Sequence, residues 1–208
     1  MTVAYPHKLQ DNLSARDILQ RVVSEREIHL ITLNRYRYNE QRSCKDLTEV
    51  VEKLNGNPPA MIRDLSHHIN DEARHAMWLT DLLIDIGGPL DTPPGVSYID
   101  EFERLIDSET NSNPEDDLIA ALAAINVTEK RGCEYFSAHI HALKSAPQTA
   151  ENIKIRETIE KIFPEETAHV RWGNKQLAQI AAKSPAHRQK VEAAKHKYIA
   201  IEQAAYES

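Results

Sequence analysis

Two segments, Glu72-Ala-Arg-His75 and Glu166-Thr-Ala-His169, share one Glu-x-x-His spacing. On a helix, residues three apart project from one face, so each pair can reach a single metal ion. At this content of Glu and His, chance alone supplies about one such tetrad. Two carry weight because each follows a helical stretch that puts another Glu, Glu40 or Glu129, on its apolar face. Acids on core-facing stripes are costly unless a cation or partner meets them. A fold that buries these stretches must therefore bring the acids to one place.

Punctuation residues divide the chain. Only six Gly and few β-branched runs point to an all-α protein. Ser24 with Glu27 reads as a capping box, and Asn55-Gly-Asn-Pro-Pro59 ends the helix that follows. A second helix runs from Pro59 to Gly87-Gly-Pro89. Asn113-Pro114 and three acids open a third, which ends near Ser145-Ala-Pro147. The four main helices are expected at about 25–54, 59–87, 115–144 and 149–182. Ser184-Pro185 opens a C-terminal helix over about 185–206, and a short helix from Ser14 to about Val23 precedes the first main one. Short connections make the first and second helices, and the third and fourth, antiparallel hairpins. The long segment 88–113, with an amphipathic piece from Tyr98 to Ile106, is the crossover between them. The expectation is one domain over 1–208, with a core at 25–182 and an N-terminal extension at 1–24.

The apolar stripes include Leu33, Tyr36, Leu47, Met61, Leu65, Leu79, Leu83, Leu122, Phe136, Ile155, Ile159, Ile162 and Leu177. Glu40, Glu72, Glu129 and Glu166 interrupt them, each near the midpoint of its helix. Four carboxylates thus fall at one depth. Uncompensated, each would cost several kcal/mol, which a fold stable by about 5–15 kcal/mol cannot carry. Two divalent cations would balance the four acids, with His75 and His169 neutral. Carboxylate and imidazole ligands suit iron or manganese, and the set offers no thiolate. Zinc fits the ligand types, but its sites are usually four-coordinate and mononuclear.

The pattern Glu40, Glu72-x-x-His75, Glu129, Glu166-x-x-His169 resembles the ferritin-like (rubrerythrin-like) dimetal-carboxylate superfamily over about 25–182. That resemblance implies a ferritin-like four-helix bundle. It also implies a centre of two iron ions, or iron and manganese, that reacts with dioxygen or peroxide. By position, Glu72 and Glu166 would bridge the metals, and Glu40 and Glu129 would be terminal. The Cys-x-x-Cys module that rubrerythrins often carry is missing. Ala73 stands where bacterioferritins place a haem-ligating Met, and the chain is longer than a typical ferritin subunit. These departures favour a stand-alone oxidase or oxygenase over a storage cage.

Several neighbours bear on the site. Cys44 and Cys133 each follow a terminal Glu by four residues. They read as apolar packing or as the lining of a substrate pocket. With the first and third helices antiparallel, they lie on opposite sides of the metal plane, too far apart for a disulfide. His68, one turn before Glu72, reads as packing, as a partner of a ligand, or as an added ligand. Tyr36, one turn before Glu40, reads as packing, as a hydroxyl near the metals, or as a redox-active tyrosine. Pro164 either kinks the fourth helix or starts a fresh one.

A net charge of −7 gives no electrostatic reason to expect nucleic acid or an anionic membrane. No apolar run approaches the ~20 residues that span a bilayer. The N-terminal MTVAYPHKLQDN has no signal-peptide core, so a cytoplasmic protein is expected. The first reading is a di-iron oxidoreductase that uses dioxygen or peroxide on a small organic substrate. An external electron donor is required, and there is room for a homodimer. The alternatives are a ferroxidase, iron-storage or peroxide-detoxifying protein, a tRNA-modifying hydroxylase of the same fold, and a scaffold without metal.

Overall fold

The computed structural model describes residues 13–106 and 113–207. Residues 1–12 of the expected extension and 107–112 of the crossover lie outside the described residues. Within them the chain is all helical: α1 (Ala15–Ser24), α2 (Arg26–Lys53), α3 (Pro59–Ile86), α4 (Tyr98–Ile106), α5 (Pro114–Ser145), α6 (Ala150–Ala181) and α7 (Pro185–Glu207). None of these helices is long and apolar enough to cross a membrane.

Local chemistry explains most of the boundaries. Ser14 and Asp17 form a reciprocal capping box at α1, with Ser14 N donating to Asp17 Oδ2 at 3.0 Å. Asn113 Oδ1 accepts from Glu115 N at 2.9 Å, and Thr149 Oγ1 from Asn152 N at 3.1 Å, so α5 and α6 start where polar caps stand. α3 ends at Gly87, whose φ of 72° suits glycine, and Gly88 N closes onto Leu83 O at 2.8 Å. The expected capping box at Ser24 is absent. Glu25 takes an extended conformation between α1 and α2 and makes no side-chain cap, while the Ser24 hydroxyl turns back to donate to Arg21 O. Ser24 still has helical neighbours to its N-terminal side, so its hydroxyl finds a carbonyl one turn back before it can cap a new helix.

Two apolar clusters give the directions of the core helices. Leu33, Leu79, Leu83, Phe136, Leu143 and Ile155 gather at one end, and Leu47, Met61, Leu65, Ile119, Leu122 and Leu177 at the other. α2 and α6 therefore run one way, and α3 and α5 the other. The chain must travel the length of the bundle between α3 and α5, and the segment carrying α4 makes that crossing. Its first part is pinned to α2: Asn34 Nδ2 donates to Asp91 O at 2.9 Å, Arg35 Nη2 to Pro94 O at 2.6 Å and Arg37 Nη2 to Leu90 O at 3.2 Å. The carboxylates lie between the two clusters, at mid-bundle.

α5 is covered on two sides. Its inner face meets the core, and its outer face carries α1 and α7. Val127 is accordingly buried with Phe102 and Ala205, and Ala138 and Ala142 with Ile18 and Leu19. α6 runs unbroken through Pro164 and does not restart there. The backbone hydrogen bond lost at proline is outweighed by burying Ile155, Ile159 and Ile162 before it and Leu177 after it in one continuous helix.

Candidate metal centre

The structure brings Glu40 from α2, Glu72 and His75 from α3, Glu129 from α5, and Glu166 and His169 from α6 to one buried site. Their ligating atoms form two groups, each within 4.8 Å: Glu40, Glu72, His75 and Glu166, and His68, Glu72, Glu129 and His169. Glu72 belongs to both. Glu166, expected to bridge with it, sides with Glu40 and His75, and His68 takes the corresponding place in the second group.

Ring orientation is fixed from outside the site. His75 Nε2 donates to Glu165 Oε2 at 2.7 Å, which leaves Nδ1 at 2.8 Å from Glu166 Oε1 and 3.3 Å from Glu40 Oε2. His169 Nε2 faces Asp71 Oδ2 at 3.3 Å, and its Nδ1 lies 3.3 Å from Glu72 Oε1. Arg74 ties the two outer acids together, with Nη2 at 2.8 Å from Asp71 Oδ1 and 2.7 Å from Glu165 Oε2. The pairing is crossed, since the acid preceding each tetrad orients the histidine of the other. Such a carboxylate fixes the ring and, in the neutral imidazole, turns the inner nitrogen's lone pair toward the site.

Charge is apportioned unevenly. Burial and the nearby Glu72 raise the Glu40 carboxyl well above its ordinary range, and burial with Glu72 and Glu40 does the same to Glu166. Burial also opposes ionisation of Glu72 and Glu129, but the close imidazoles of His169 and His68 outweigh it and hold both acids below the usual carboxylate range. Burial lowers the imidazoles too, yet their bonds to Glu129 and Glu72 push His68 up to about 9 and His169 up to about 11. The four acids are thus compensated in part by histidine and in part by proton uptake. His68, open in the sequence between packing and ligation, sits within 3.1 Å of both Glu72 and Glu129.

Hydrogen bonding does not use up the donor set. Glu72 Oε1, Glu166 Oε1 and His169 Nδ1 are buried and make no aligned hydrogen bond, although oppositely charged atoms lie close by. These atoms converge on shared points, where a bound cation would take the place of the protons. Carboxylates in excess over imidazoles, with no thiolate, fit iron or manganese.

A cavity of about 560 Å³ opens onto Glu40, Glu72, Glu129 and Glu166. Ile18, Leu19 and Val22 of α1 and Phe136 of α5 supply apolar walls, and Ala205 and Tyr206 of α7 close another side. Tyr36 lines it, buried edge-on against Phe136 with ring centroids 4.9 Å apart. Neither cysteine lines it. Both are free and half-buried. Burial and the nearby Glu72 push the Cys44 thiol up to about 11, and burial raises Cys133. Cys44 instead donates to Ile69 O at 3.7 Å.

Three parts of this site lay beyond the sequence reading. Asp71 and Glu165 were overlooked, although the repeat is really acid-Glu-x-x-His, Asp71-Glu72 in one tetrad and Glu165-Glu166 in the other. For His68 the sequence permits both packing and ligation. His29 and His139, buried with their Nε2 atoms 2.8 Å apart near Tyr36, carried no spacing signal at all.

No protein-family model, curated protein or solved structure matches the chain.

Proposed function

We propose that this protein is a ferritin-like dimetal oxidoreductase. Glu40, Glu72, His75, Glu129, Glu166 and His169 would hold two iron ions, or iron with manganese, and the bound pair would supply activation of dioxygen or peroxide. The observation that carries the reading is the sharing of Glu72 between two buried ligand groups that face one cavity.

The chain's own residues support the rest of the chemistry. Asp71, Glu165 and Arg74 hold the two imidazoles with their inner nitrogens toward the site. The apolar walls from α1, α5 and α7 give an organic substrate a place beside the carboxylates. A cavity of about 560 Å³ suits an organic molecule better than iron itself as the substrate. Inserting one oxygen atom into a substrate C–H bond reduces the other to water. The substrate supplies two electrons and an external reductase two more, with two protons from solvent.

The test is anaerobic loading with ferrous ion, followed by dioxygen uptake with and without candidate apolar substrates. Uptake coupled to substrate oxidation supports the reading. Metal-loaded protein that oxidises only added ferrous ion would replace it with a ferroxidase.

A further inference from the structure

We infer that His68 is a metal ligand and that it makes the two metal positions chemically unequal. The inference rests on the dimetal reading above and goes beyond its six ligands. His68 Nε2 lies 3.1 Å from Glu72 Oε1 and 3.1 Å from Glu129 Oε1, inside the group it forms with His169. The side chain is 3% exposed. Its ring lies against His169 with centroids 3.6 Å apart and meets Trp172 in a T-shaped contact at 6.2 Å. Nδ1 makes no hydrogen bond, so ring packing and the Nε2 contacts to Glu129 and Glu72 set the ring, with Nε2 aimed at the acids.

One position is thus bounded by two imidazoles (His68, His169) and two carboxylates (Glu72, Glu129). The other has one imidazole (His75) and three carboxylates (Glu40, Glu72, Glu166). Imidazole raises affinity for the later first-row metals, whereas an oxygen-rich set suits manganese. The position of His68 and His169 therefore binds cobalt more tightly and fills first, and the other position retains manganese better. A pair of unlike metals would sort by position without any second protein.

The experiment is anaerobic titration of the metal-free full-length chain with Co²⁺, read by visible absorption and by elemental analysis after desalting. Wild type takes up cobalt in two resolved steps. His68→Leu weakens the first step by at least about 10–100-fold, the cost seen for lesser changes around metal sites, and leaves the second in place. Glu129→Gln removes the same first step and Glu40→Gln the second, so the assignment survives if one of these variants does not fold. Two steps unchanged in His68→Leu would overturn the inference and leave the six-ligand site standing. A wild type that takes up no cobalt would instead sink the dimetal reading itself. A crystal loaded with cobalt gives a direct check: anomalous density within bonding distance of His68 Nε2 is expected, and its absence there, with cobalt bound elsewhere in the site, refutes the inference.

Discussion

Glu202→Ala should loosen the C-terminal helix from the bundle and open one wall of the cavity. Arg131 of α5 grips Glu202 of α7 with two hydrogen bonds, Nε to Oε1 at 2.6 Å and Nη2 to Oε2 at 3.1 Å. The side chains are 13% and 8% exposed. The guanidinium also stacks 3.9 Å from the Tyr206 ring, and Tyr206 Oη accepts from Tyr135 Oη at 2.9 Å. Removing one partner of a buried pair costs about 3–5 kcal/mol, because the other charge is left without compensation. Arg131 retains Glu134, at 2.6 Å but half exposed, which brings the expectation to about 2–3 kcal/mol. In a chain of this length that lowers Tm by roughly 5–10 °C. Circular dichroism at the helix band measures Tm, and amide exchange locates the loss, which should concentrate in 185–207. Arg131→Met in the Glu202→Ala background should restore part of the stability, since it removes the stranded charge. A drop under about 1 kcal/mol, or two single changes that simply add, would refute the argument that this pair docks α7.

Three further outcomes are expected. Burial pushes His29 down to about 4 and His139 well below its usual value, so both are neutral in the fold. The unfolded chain takes up protons near pH 6.5 while folded His29 resists to about 4, so the contribution of these histidines is full above 6.5 and falls between those values. For His29 this amounts to roughly 3 kcal/mol. Metal-free denaturant curves should show that extra loss in wild type but not in a His29→Leu/His139→Phe double variant, and parallel pH profiles would contradict it. Asp71→Asn with Glu165→Gln should weaken metal binding about 10–100-fold by freeing the imidazoles, measured by competition with a chelator. Unchanged affinity would show that the outer acids do not orient them. Gly173→Ala places a Cβ 2.9 Å from Asn126 Nδ2, which donates to Val170 O. The helix gain of about 0.5–1 kcal/mol is smaller than the displaced bond plus overpacking, so a net loss of about 1–2 kcal/mol is expected in urea unfolding, and equal stability would contradict it.

Helix ends were legible because caps and breakers act locally. The four main spans expected from Asn, Gly, Pro and Thr agree with α2, α3, α5 and α6 to within a residue. Ser24 misled because a capping pattern states which bonds can form and not which carbonyl is nearer. On α5 the expected stripe includes Leu122 and Phe136, and Ile119, Ala123 and Val127 are buried as well, since one periodicity cannot reveal a helix covered on two faces. The six ligands could be read because their chemistry conflicts with an apolar stripe. Asp71 and Glu165 were missed because they sit one residue off it, and their roles depend on a crossed contact between α3 and α6. His29 and His139 meet only through the antiparallel packing of α2 and α5, which no local pattern encodes.

The central claim is the dimetal centre, and metal content tests it most directly. The full-length chain, loaded anaerobically with ferrous ion and desalted, should carry about two metal ions by elemental analysis. Glu72→Ala should lose both, because Glu72 alone belongs to both ligand groups. A wild type that holds no metal, or a Glu72→Ala protein that folds and still holds two, would contradict the account.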